Sequence, residues 1–111
     1  MVITEDRYKN MLKVMLRSYQ KKHPAIYENR DLSKQISGLK ARFDDIEKKV
    51  SGCSFNNGFM SHEIHAIVSD IDYLERQKRL IDSHQPYDHI MANVKLQVVM
   101  VKYETLETLL S

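Results

Sequence analysis

Tryptophan is absent from this chain, cysteine occurs once, proline twice and glycine three times. Each scarcity excludes something. The lone thiol, Cys53, has no partner for an internal disulfide, so the fold must hold without cross-links and a reducing, cytoplasmic setting is expected. So little glycine and proline argues against a many-turned β architecture and for a few long helices. The longest unbroken apolar run covers only residues 98–101, far short of the roughly 20 residues that cross a bilayer, so no membrane span is expected. The opening stretch MVITEDRYKN is charged early and has no apolar core, so it does not read as a secretory signal. No glycine-rich phosphate loop and no G-x-S-x-G elbow occurs.

What is present is the composition of an ordinary folded protein: 111 residues, 42% apolar and 29% charged. That length predicts one domain, residues 1–111, with one real core. The net charge of +2 conceals an asymmetry. Residues 1–50 hold 12 Lys and Arg against 7 Asp and Glu, whereas residues 51–111 hold 5 against 8. The two halves can attract each other, or the first can offer a basic surface to an anionic partner.

The C-terminal stretch organises the rest. Tyr87, Met91, Val94, Val98 and Val101 form one apolar seam at helical spacing, and Leu96, Val99, Tyr103, Leu106 and Leu110 form another. Positions 94 and 96 lie about 200° apart around a helix, so the seams face nearly opposite ways. A helix apolar on two sides must be covered on two sides. The alternation of Val94, Leu96, Val98 and Met100 with Lys95 and Gln97 offers a competing strand reading. Val99 and Val101 break that alternation, and the helical seams run on to Leu110, so helix is preferred.

The remaining chain supplies three more helices. Thr4 is an N-cap followed by Glu5 and Asp6, and Tyr8, Met11, Leu12, Met15, Leu16 and Tyr19 make one stripe, predicting a helix over about 4–21 that stops at His23-Pro24. Residues 24–29 suit a short extra turn. Leu32, Ile36, Leu39, Phe43, Ile46 and Val50 form a heptad seam over about 29–50, with Gly38 in its middle as a candidate close crossing. Residues 51–59 read as a loop, with Asn56, Asn57 and Gly58 as turn residues and the two phenylalanines, Phe55 and Phe59, folded back onto the bundle end. Ser61 caps a third helix over about 61–83, and Pro86 opens the last, about 86–110. The expected fold is therefore all-α, a small antiparallel bundle of four main helices, the last two joined by a short connection.

Several residue groups invite a chemical reading. His62 and His65 share a helix face, and in an antiparallel hairpin they approach Glu104 and Glu107, a conceivable donor set for a metal. The plainer reading is exposed histidines near a helix start, and no metal or cofactor is expected. His84 and His89 lie about 30 Å away at the far end of the hairpin. Cys53 near those histidines could pair as nucleophile and base, but nothing orients the base. Arg79 to His84 fits R-x4-H and resembles the motif of HEPN ribonucleases, small and usually dimeric helical bundles. The resemblance covers six residues, and Leu80 stands where that family usually has a polar residue. It implies RNA cleavage by Arg79 and His84 at the boundary before the last helix. Arg17 to His23 fits a looser R-x5-H spacing.

Lys9, Lys13, Arg17 and Lys21 repeat every four residues along the first helix, the row a phosphate backbone or an acidic protein would meet. A sequence pI near 8.6 is low for a dedicated nucleic-acid module. With no catalytic group assembled, the sequence points to a non-enzymatic protein-interaction module: a small regulator, inhibitor, adaptor or chaperone-like protein. Its partner or homodimer seam is expected at Leu96, Val99, Tyr103, Leu106 and Leu110. Nucleic-acid binding through the basic row and HEPN-like ribonuclease activity are the alternatives.

Overall fold

A computed structural model describes residues 2–23, 31–55 and 58–111, with no side-chain description for Val2, Ser54 and Phe55. Its elements run β1 (Val2–Ile3), α1 (Glu5–Lys22), α2 (Leu32–Ser37), α3 (Leu39–Ser51), β2 (Ser54–Phe55), α4 (Phe59–Asp82) and α5 (His89–Leu110). The expected short turn at residues 24–29 lies outside the described residues. The fold is the expected all-α bundle, with one addition the periodicity does not announce: β1 pairs in parallel with β2, joining the start of the chain to the α3–α4 connection.

Local chemistry sets the element boundaries. The Thr4 side chain accepts the Arg7 N–H at 3.1 Å and starts α1 as anticipated. The predicted helix over 29–50 is two helices, α2 and α3, meeting at Gly38. Among the described residues no neighbour crosses there, because a Cβ added at Gly38 would meet only the Gln35 carbonyl at 3.9 Å. The break reflects the low helix propensity of glycine rather than close packing. The heptad seam survives it: Leu32, Ile36, Leu39, Phe43 and Ile46 are all buried.

α4 begins at Phe59, not at Ser61. Gly58 takes the left-handed turn at φ +65°, and Phe59 and Met60 are drawn into the core. Ser61 is exposed and caps nothing. At the far end His84 adopts φ +56° just beyond the C-cap Ser83. Its N–H reaches the Ile81 carbonyl, and the Gln85 N–H reaches that of Leu80, a Schellman closure. α5 then starts at His89, later than predicted, because Asp88 rather than Pro86 opens it. The Asp88 carboxylate accepts the Met91 N–H at 3.0 Å, while its own N–H donates to the Gln77 side chain.

α5 touches α1, α3 and α4, so the last helix is the central one, and α2 packs on α4. Three contacts set the antiparallel register of α4 and α5: Gln77 to Asp88, Asp70 to Lys95 at 3.1 Å, and Glu63 to Lys102 at 3.2 Å. The core runs along this pair through Ile67, Ile71, Leu74, Leu96, Val99 and Leu106, closed at one end by Ile3, Tyr8 and Phe59. No helix among the described residues is long and apolar enough to cross a membrane.

Candidate functional site

The two seams of α5 meet different surroundings. Leu96, Val99, Tyr103 and Leu106, expected to serve a partner, are buried within the chain's own core, with Leu110 packed at its edge. These side chains already have hydrophobic company within the chain. The opposite flank is the open one, and only over its first half. Val101 is buried, but Val98 is 37% exposed, Met91 42%, Ile90 54% and Tyr87 36%.

The cause is where the other helices land. From α3, Arg42 pairs with Glu107, approaches the Met100 sulfur at 3.6 Å and lies 5.2 Å from the Tyr103 ring centroid. The Tyr103 hydroxyl donates to the Leu39 carbonyl at 2.8 Å. From α1, the Tyr8 hydroxyl donates to Glu63 at 2.8 Å, and the same Glu63 oxygen pairs with Lys102. These contacts meet α5 at Met100 or beyond, that of Tyr8 by way of Glu63 and Lys102. Toward its N-terminus α5 is pinned by α4, through Asp70 and Gln77. Tyr87, Ile90, Met91 and Val98 are therefore left on a face that the bundle does not use. Sequence spacing marked three of them as apolar seam residues but could not say which seam the chain would bury. Ile90 was missed because it lies one position off that seam.

The basic row of α1 lies on its outer face. Lys9, Lys13, Arg17 and Lys21 are all exposed. Lys9 pairs with Glu5 at 3.1 Å, one turn away. Lys13, Arg17 and Lys21 make no ion pair among the described residues.

The candidate chemical groups stay dispersed. Among the described residues no three His, Cys, Asp or Glu side chains converge to hold a metal ion. His62 and His65 are exposed, and Glu107 is engaged by Arg42. Cys53 is half-buried and free. Arg79 and His84 are both exposed at the end of α4, and the backbone of each takes part in closing that helix.

The most constructed polar cluster joins Tyr8, Glu63 and Lys102 beside a shallow groove lined by Glu5, Lys9, Leu12, Phe59 and His62. Burial, and then the Glu63 charge, push the Tyr8 phenol well above its ordinary range, so it stays protonated as a donor. Glu63 is held by Tyr8 and Lys102 together. The cluster ties α1 to the hairpin rather than presenting a poised base. Comparison with protein-family models, curated proteins and solved structures finds no match to this chain.

Proposed function

We propose that the protein is a non-enzymatic helical interaction module, a small regulator, inhibitor, adaptor or chaperone-like protein, that binds a protein partner through the first half of α5. The observation that carries this reading is the exposure of Ile90, Met91 and Val98 on a helix whose second half is core, with Tyr87 exposed just ahead of its first turn, each of the four more than a third exposed. Contiguous exposed apolar side chains are costly to leave in water and mark contact sites. Tyrosine and methionine are among the residue types enriched in such contacts. A second copy of the chain is one such partner.

The test is a photo-reactive residue placed at Met91 and, as a control, at exposed Lys49. In host extract the position-91 probe should give a discrete covalent product, either a second copy or one defined protein. An Ile90→Glu change should abolish that product without altering the melting curve. Equal labelling from positions 91 and 49 would refute the reading.

A further inference from the structure

The surplus positive charge of the chain is gathered on one helix. α1 carries Arg7, Lys9, Lys13, Arg17, Lys21 and Lys22 against only Glu5 and Asp6, both in its first turn. That excess of four exceeds the +2 of the whole chain. Elsewhere, Arg42, Lys78, Lys95 and Lys102 are each neutralised by an acid of the bundle. Beyond Asp6, α1 has no acid to answer Lys13, Arg17, Lys21 and Lys22.

The outer face also has a shape. Arg7, Asn10, Val14, Arg17 and Lys21 step by three and four residues and are all exposed, forming a straight line along α1. At its centre Val14 is 58% exposed, the most open large apolar side chain among the described residues. Three-four spacing is the seam along which a second helix lies nearly parallel to the first. A phosphate backbone would use the cations but offers nothing apolar to Val14. The face carries no aromatic ring on which a base could stack.

We infer that α1 docks an acidic, amphipathic helical segment of a partner protein. An apolar side chain of that segment covers Val14, and its carboxylates meet Arg7, Lys13, Arg17 and Lys21. This surface lies on a different helix from the α5 stripe and stands or falls independently of it. Charges at such a rim chiefly raise the association rate and are screened by salt.

The test is fluorescence anisotropy with the full chain and two labelled probes of about 30 Å length. One is a helical peptide with leucines at three-four spacing and glutamates elsewhere; the other is a DNA duplex. At about 50 mM salt the peptide should bind, and more tightly than the duplex, with binding weakened at about 300 mM. The Lys13→Glu, Arg17→Glu, Lys21→Glu variant should lose at least about tenfold in peptide affinity, and Val14→Ser about threefold. All four positions are exposed, so circular dichroism should confirm an unchanged fold. The inference is overturned if the peptide does not bind or the duplex binds more tightly. It is equally overturned if either variant keeps full peptide affinity.

Discussion

The two halves of α5 have similar apolar content and opposite fates. From Val99 to Leu109 the helix is wrapped: Val101 and Thr105 are buried on one side, and Val99, Tyr103 and Leu106 on the other. From His89 to Val98 only one side is covered, by way of Ala92, Asn93 and Leu96, while Ile90, Met91 and Val98 face outward. What separates the halves is the placement of α3 and α1, whose polar contacts reach α5 at Met100 and beyond or join it there through Glu63. An apolar face in sequence records a need for cover. It does not record whether the cover comes from the same chain.

The largest expected contrast between the halves is in stability. Leu106→Ala should cost about 2–5 kcal/mol, the range for a buried leucine, whereas Ile90→Ala should change stability by about 0.5 kcal/mol or less. Urea unfolding of the two variants measures both, and similar losses would erase the distinction.

A smaller effect belongs to the polar anchor of the wrapped half. Tyr103→Phe removes the donor to the Leu39 carbonyl and should cost about 1–2 kcal/mol. Burial raises the Tyr103 phenol, with Asp44 and Glu107 adding to it and Arg42 opposing, and burial with Glu63 raises Tyr8. The unfolded chain releases these protons near pH 10, while the folded chain retains them. Above about pH 10 the folded state therefore binds more protons, and stability should fall as pH rises; below that it is unaffected by these groups. The fall should be shallower in Tyr8→Phe and Tyr103→Phe, and unchanged in Ile90→Ala.

Within the one-sided half, the Asn93 side chain is buried with its Oδ1 unpartnered, while its Nδ2 donates to the His89 carbonyl. Asn93→Leu should raise stability by about 1 kcal/mol in the same unfolding assay. The smallest effect lies just before α5, where His84 holds a left-handed backbone. His84→Gly should gain about 0.5–1 kcal/mol, read as a rise in melting temperature.

Much of the architecture was legible because burial follows helical spacing. The stripe beginning at Leu32, the α4 series Ile67, Ile71 and Leu74, and the seam from Leu96 to Leu106 all enter the core. Boundaries were less legible, since caps compete locally: Asp88 displaced Pro86, and Gly58 with buried Phe59 displaced Ser61. The β1–β2 pair was invisible because two residues carry no period. The basic row was found from spacing alone. The open face of α5 was not, because choosing between two equivalent seams depends on where α1 and α3 come to rest, which is a long-range property.

The most direct measurement is the thermal unfolding of an Ile90→Glu, Met91→Glu, Val98→Glu variant beside the unmodified chain. If the first half of α5 faces solvent in the isolated protein, the three carboxylates remain hydrated and the melting temperature should stay within about 5 °C. A collapse of the transition, as burial of three unpaired charges would cause, would mean that the bundle itself covers this face and leaves nothing for a partner.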